Sequence, residues 1–211
     1  MSDTTVKTAK TSVQQTTANS GVTNVLLVGV GGQGVLLVSS IIAQAAILSG
    51  SDVKANEVHG MAQRGGSVLA QVRFGPKVYS PLVWEGTVDV LLSLEKAEAV
   101  RYAHYLKPNG LAVVSTQEIV PVTVSSGKAV YPADANTRLK RICPNLVMVD
   151  AEGIAHRLGN VKAANVVVLG AAASAIPSLA PYWQKALELC VPAKYQELNI
   201  RAFQAGGECI K

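Results

Sequence analysis

The sequence is poor in the residues that carry metals and redox centres. Its 211 residues include only three histidines and three cysteines, Cys143, Cys190 and Cys209, an odd number set far apart. No C-x-x-C spacing occurs. That excludes, for this chain by itself, a ferredoxin-type iron–sulfur cluster and a four-cysteine zinc site, and reduced thiols in a cytoplasmic protein are expected. No Ser sits in a G-x-S-x-G setting, so no nucleophile elbow is present. Carboxylates show no pairing suited to acid–base hydrolysis. Charged residues make up only 16% of the chain, and none lies between Thr11 and Ser51. The net charge of +5 arises without a basic run of the kind nucleic-acid binders carry. No nucleic-acid partner is expected; a face for phosphates or for an acidic partner stays open. Long apolar runs are missing too. The stretch from Val25 to Leu48 is split by a glycine cluster into pieces of 6 and 14 residues, short of the ~20 needed to cross a bilayer. The first twenty residues hold no compact apolar segment followed by a small-residue cleavage site, so no secretory signal is expected.

What is present is an apolar content of 49%, enough for one domain with a substantial core. The expected organisation is a flexible polar tail over 1–22, a single domain over 23–205, and a short tail over 206–211 that frays at Gly206-Gly207. Strand patterns occupy Val25–Val28, Val53–Val58, Ser67–Phe74, Val88–Leu94, Leu111–Ser115 and Leu146–Val149. Helical patterns occupy Val35–Leu48, Glu95–Leu106, Ala133–Ile142, Ala163–Ile176, Tyr182–Cys190 and Lys194–Gln204. Alternation of the two implies an α/β fold, a Rossmann-like doubly wound sheet. Gly75-Pro76-Lys77 before Val78–Val83, and Ser125-Ser126-Gly127 between Ile119–Val124 and Lys128–Tyr131, predict two hairpins, so the sheet should be mixed.

Two segments carry the chemistry. In the first, a buried-type strand runs into Gly29-Val30-Gly31-Gly32-Gln33-Gly34, and an apolar helix follows at once. Such a turn aims helix N–H groups and the positive dipole end at whatever docks there. Left-handed backbone is expected at Gly31. The spacing Gly29-x-Gly31-x-x-Gly34 also fits the dinucleotide fingerprint, with Glu57 near the position of a ribose-binding acid. Gly34 is followed by Val35-Leu36 in place of Lys and Ser/Thr, which excludes an ATP-hydrolysing loop. Three readings remain for the residues alone: a nicotinamide site, a site for another phosphate-bearing ligand, or a turn that only packs helix on strand.

The second segment is Glu57-Val58-His59-Gly60-Met61-Ala62-Gln63-Arg64-Gly65-Gly66-Ser67. It lies between two strands, at the end of the sheet where the glycine loop also lies. His59 can shuttle protons and Arg64 can grip an anion with two parallel bonds. The bland alternatives are a backbone-bonded imidazole and an Arg64–Glu57 ion pair that shapes the loop. His104 and His156 lie on helical patterns away from ligand-spaced partners.

Together, N-V-L-L-V-G-V-G-G-Q-G-V-L-L at 24–37 and E-V-H-G-M-A-Q-R-G-G-S-V at 57–68 resemble the β subunit of indolepyruvate:ferredoxin oxidoreductases. These correspond to the γ subunit or domain of the 2-oxoacid:ferredoxin oxidoreductases. The likeness extends from about Asn24 to about Gln204, and H-G-M-A-Q-R-G-G is its more specific part. The resemblance implies a heteromeric enzyme that oxidatively decarboxylates aryl 2-oxoacids, transfers the acyl group to coenzyme A and reduces ferredoxin. It implies that thiamine diphosphate, Mg and the [4Fe–4S] clusters reside on a large α subunit. It also implies that this chain completes a heterodimer or higher hetero-oligomer. The residues carried over as cofactor-binding candidates are Gly29, Gly31, Gly32, Gln33, Gly34, Glu57, His59, Gln63, Arg64, Gly65 and Gly66. No catalytic residue and no metal ligand is assigned. The competing classes are a free-standing NAD(P)-dependent dehydrogenase and a non-catalytic assembly module.

Overall fold

The computed structural model describes residues 21–60, 65–120, 127 and 130–210. Six strands form one mixed sheet: β1 (Thr23–Val30), β2 (Asp52–His59), β3 (Ser67–Gly75), β4 (Val88–Ser93), β5 (Leu106–Ser115) and β6 (Asn145–Val149), in the order β2-β3-β1-β4-β5-β6. β1, β4, β5 and β6 run parallel, while β3 is antiparallel to both β1 and β2. The helices are α1 (Val35–Leu48), α2 (Lys96–Tyr102), α3 (Ala135–Ile142), α4 (Ala151–Arg157), α5 (Ala164–Ala172), α6 (Trp183–Cys190) and α7 (Gln196–Gly207).

Period-two alternation in the central strands sorts two cores. Val25, Leu27, Val90, Leu92 and Val113 face the layer built by α1, α5, α6 and α7. Leu26, Val28, Leu91, Ala112 and Val114 face α2 and α3, where Leu139 and Cys143 complete the second cluster. With both faces covered, the strands read as apolar runs. The expected α/β, Rossmann-like doubly wound mixed sheet is therefore observed.

Several local expectations are corrected. Val78–Val83 is not a strand; its two valines are buried, but main-chain bonds to side chains hold it as an irregular connection. Asp52 Oδ2 accepts from the Val78 N–H (3.0 Å), and Gln71 Oε1 accepts from the Val83 N–H (2.7 Å). Gly206 and Gly207 do not fray. They lie in α7, which continues into a 3₁₀ turn over Glu208–Ile210. The reason is close packing on α5: a Cβ built on Gly206 would meet the Val167 carbonyl oxygen at 2.0 Å, and one on Gly170 would meet that of Phe203 at 2.0 Å. α4 was not anticipated; Asp150 caps it by accepting from the Gly153 N–H at 3.0 Å. The Ala163–Ile176 pattern is an α-helix over Ala164–Ala172 flanked by 3₁₀ turns. Most of the hairpin expected around Ser125-Ser126-Gly127 lies outside the described residues, as does nearly all of the polar tail.

Candidate functional site

Both loops lie at one end of the sheet, because β1 and β2, separated by antiparallel β3, point the same way. They are stitched together by main-chain bonds: the Gly31 N–H donates to the Gly66 carbonyl (2.8 Å) and the Gly65 N–H to the Gly31 carbonyl (3.4 Å). Left-handed backbone occurs at Gly32 (φ 101°) and Gly34 (φ 83°), not at Gly31. Gly34 is the N-cap of α1, and a Cβ there would sit 2.3 Å from Asn165 Nδ2, the atom that donates to the Gly34 carbonyl. No side chain larger than hydrogen fits that crossing.

Gln33 shapes the loop through three bonds. Its Oε1 accepts from the Val30 N–H (2.7 Å), and its Nε2 donates to the Leu94 carbonyl (2.7 Å) and to Gln117 Oε1 (2.6 Å). Gln117 Nε2 in turn donates to Glu152 on α4. This chain of amides runs across the ends of β1, β4 and β5 with one polarity. Gln33 therefore contributes loop geometry, and its side-chain amide points into the protein.

On one side of the loop lies a cavity of about 630 Å³, bordered by Gly31 to Gly34, Gln117, Glu152, Lys162 and Asn165 over an apolar floor that includes Leu37, Leu94 and Val168. It opens at the boundary between β1 and β4, where successive connections leave to opposite faces of the sheet. Open α/β sheets bind ligands at that position. Lys162 supplies positive charge there and Glu152 negative charge. The first-turn N–H groups of the 14-residue α1 have no intrahelical acceptor. On the other side a smaller, more apolar cavity of about 400 Å³ is lined by Val30, Gly31, Gly34, Leu36, His59 and Val68. Gly29, which ends neither cavity, lies beneath the loop; a Cβ on it would meet Gln33 Oε1 at 2.9 Å.

Glu57 is placed away from a nucleotide. β3 separates β2 from β1, so this carboxylate is displaced laterally by two strand spacings, about 10 Å, and it accepts from Ser39 Oγ on α1 at 2.8 Å. A dinucleotide fold puts its ribose-binding acid on the strand beside the glycine strand. The sheet order disfavours the nicotinamide reading. Gln63 and Arg64 lie outside the described residues.

A buried carboxylate pair supports the site from the α2 face. Glu95 (1% exposed) caps α2 by accepting from the Glu98 N–H at 2.9 Å, and it also accepts from the Tyr131 hydroxyl (2.5 Å). Glu98 accepts from Ser67, the residue after Gly65-Gly66. Burial pushes the Glu98 carboxyl above its ordinary value, partly opposed by Ser67 and Arg101. Partial burial raises the half-buried Tyr131 phenol, and its hydrogen bond to Glu95 raises it further. Gln117, Glu152, Lys162 and Asn165 were not named from sequence. They come from three separate stretches of the chain, with Lys162 and Asn165 one turn apart in the last.

Among the described residues no group of three His, Cys, Asp or Glu side chains converges to hold a metal, and no helix is long and apolar enough to cross a membrane. Residues 24–209 match the family described as pyruvate ferredoxin/flavodoxin oxidoreductase. Indolepyruvate oxidoreductase subunit IorB of Pyrococcus horikoshii is 42% identical over 195 residues, covering 89% of this chain and 96% of the relative. That of Archaeoglobus fulgidus is 42% identical over 187 residues, covering 87% and 92%. The crystal structure of a keto/oxoacid ferredoxin oxidoreductase gamma subunit from Geobacter sulfurreducens superposes with a TM-score of 0.66 at 25% identity, covering 89% of this chain and 98% of that one.

Proposed function

The chain belongs to the pyruvate ferredoxin/flavodoxin oxidoreductase family, and from that premise we propose that it is the β, γ-type, subunit of a cytoplasmic indolepyruvate:ferredoxin oxidoreductase. It is a subunit of a 2-oxoacid:ferredoxin oxidoreductase, and its relatives are subunits of indolepyruvate oxidoreductases. The observation that carries the aryl substrate is 42% identity to those subunits across nearly their whole length. The overall reaction takes an aryl 2-oxoacid anion, coenzyme A and oxidised ferredoxin to an arylacetyl-coenzyme A, CO₂, a proton and ferredoxin reduced by two electrons.

Among the described residues Cys143, Cys190 and Cys209 are free thiols on separate elements, and no group of His, Cys, Asp or Glu side chains gathers beside them to hold a metal. The clusters, with thiamine diphosphate and Mg, belong to a large partner subunit, where they supply the electron sink and the electron route. Coenzyme A fits better as the ligand of this chain. The first turn of α1 directs main-chain donors to the 630 Å³ cavity, Lys162 offers a cation for a phosphate, and Leu37, Leu94 and Val168 offer apolar contact. Glu152 sets a boundary, since an anion close to it is repelled. Gln33 and Gln117 hold the cradle in shape, and the main-chain bonds between Gly31 and Gly65-Gly66 brace the glycine loop.

The test is affinity capture of the tagged chain from its native cell, followed by identification of co-eluting proteins and an absorbance spectrum. A large co-eluting subunit and a brown, cluster-type spectrum are expected from the complex, and a colourless chain when that subunit is stripped away. Iron retained by the stripped chain, or indolepyruvate oxidation by it alone, contradicts the assignment.

A further inference from the structure

The smaller cavity beside the glycine loop has a chemistry of its own. Its floor is buried and apolar, built by Val30 at the end of β1, Val35 at the start of α1 and Val68 on β3. Among its described lining residues only His59 has a polar side chain. The strand register places that side chain. His59 stands opposite Val68 in the β2–β3 ladder, so both project from one face of the sheet, the face on which α1 packs. Leu36, 43% exposed, and His59, exposed at the end of β2, mark the mouth. The remaining wall is main chain: Gly31, Gly32 and Gly34 border this cavity, and the same three border the 630 Å³ cavity on the other side. A wall without side chains lets a ligand lie directly against flat peptide groups. That wall is held in place by the Gly31–Gly66 bond (2.8 Å) and by Asn165 Nδ2 on the Gly34 carbonyl (3.2 Å).

We infer that this cavity is a binding site for a planar aromatic ring with a short acidic side chain, an inference that rests on the subunit reading above for its choice of ring. A volume of about 400 Å³ lies low in the range of roughly 300–1,000 Å³ typical of small-molecule pockets, which suits one or two fused rings. Valine methyl groups and peptide planes give the ring apolar contact on its faces. His59 sets the orientation. An imidazole carries an N–H donor in either protonation state, so the acidic side chain of the ligand points to the mouth and the ring to the valines. A nucleotide is a poorer fit, because no described lining residue offers its phosphates a Lys or Arg. The neighbouring cavity, with Lys162, Glu152 and Gln117, has the polar character this one lacks. An arylacetyl-coenzyme A has one part for each compartment, and the glycine loop is their common wall. The aryl 2-oxoacid and the arylacetyl product share the chemistry this cavity selects.

The test titrates the full-length chain by calorimetry with indole-3-acetate, and with indole and acetate as its two halves. Indole-3-acetate is expected to bind saturably, indole more weakly and acetate not at all. Leu36→Trp, which fills the mouth from an exposed position, should weaken indole-3-acetate by about tenfold or more without lowering the melting temperature. His59→Leu should weaken indole-3-acetate by about five- to tenfold and leave indole unchanged, while His59→Gln, which keeps an N–H donor, should bind as the unaltered chain does. The assembled enzyme then separates the two sources of the ring. With Leu36→Trp, a raised Michaelis constant for indolepyruvate at unaltered kcat assigns the cavity to the substrate; relief of inhibition by indole-3-acetate at an unaltered Michaelis constant assigns it to a product-like acid. No saturable binding by the unaltered chain, acetate bound as tightly as indole-3-acetate, an affinity indifferent to both Leu36→Trp and His59→Leu, or an assembled enzyme in which Leu36→Trp alters neither quantity overturns the inference. Binding that follows the expected pattern in a complex unable to oxidise indolepyruvate supports the cavity and refutes the indolepyruvate reading, so the two fail separately.

Discussion

Replacing Gln33 by Glu changes one group, Nε2 to oxygen, and sets the amide chain against itself. The retained oxygen still accepts from the Val30 N–H. The new one faces two acceptors, the Leu94 carbonyl at 2.7 Å and Gln117 Oε1 at 2.6 Å. Two lost bonds at about 1 kcal/mol each, with about 1–3 kcal/mol for acceptors left opposed, give a cost of roughly 3–5 kcal/mol. For a domain of this size that lowers the melting temperature by about 6–20 °C. Gln117 can relieve the clash by flipping its amide, but its carbonyl then faces Glu152. Glu152→Gln should therefore rescue Gln33→Glu, because the whole chain can reverse polarity. Urea titration of the wild type, both single variants and the double variant measures this as a coupling of about 1–2 kcal/mol. A Gln33→Glu variant within 0.5 kcal/mol of wild type, with no coupling to position 152, would refute the positioning role assigned to Gln33.

Other expectations follow from the same geometry. Gly206→Ala drives a methyl onto the Val167 carbonyl, and a loss of about 3 kcal/mol or more is expected in thermal melts; a neutral change means the α5–α7 contact is looser than described. Lys162→Gln should raise the Michaelis constant of the assembled enzyme for coenzyme A about tenfold with little change in kcat, whereas an unaltered constant removes Lys162 from the cradle. Glu98, with its carboxyl raised by burial, binds its proton more tightly folded than unfolded. Its contribution favours the folded state at low pH and is lost as pH rises from about 4.5, the ordinary value, through the raised one. The difference in stability between wild type and Glu98→Gln should slope across that window and level above it; a flat difference contradicts the assignment.

Much of the sheet was legible because its strands are apolar, β-branched runs bounded by turn residues, and α1 was legible to the residue because a glycine cluster adjoins an apolar helix. Side chains that bond to main chain were not legible. Val78–Val83 has a strand composition, yet Arg73, Gln71 and Asp52 hold it irregular, and periodicity carries no trace of those bonds. Gly206-Gly207 reads as a fraying end until Val167 is seen against it. In the site, the glycine loop and His59 were visible as local motifs, and the fold brings them together around the 400 Å³ cavity. Gln117, Glu152 and Lys162 reach the larger cavity from distant stretches whose local patterns say nothing about a ligand. Glu57 matched a spacing rule that presumes adjacent parallel strands, and the inserted antiparallel β3 removes that premise.

The most direct measurement is a reconstitution titration: the purified chain is added in steps to a fixed amount of the large subunit, and coenzyme A-dependent oxidation of indolepyruvate is followed by ferredoxin reduction. Turnover should be absent with this chain alone, rise with each addition, and saturate at a fixed stoichiometry. Turnover by this chain without its partner, or a rate indifferent to its addition, would contradict its role as an enzyme subunit that shapes and completes the site.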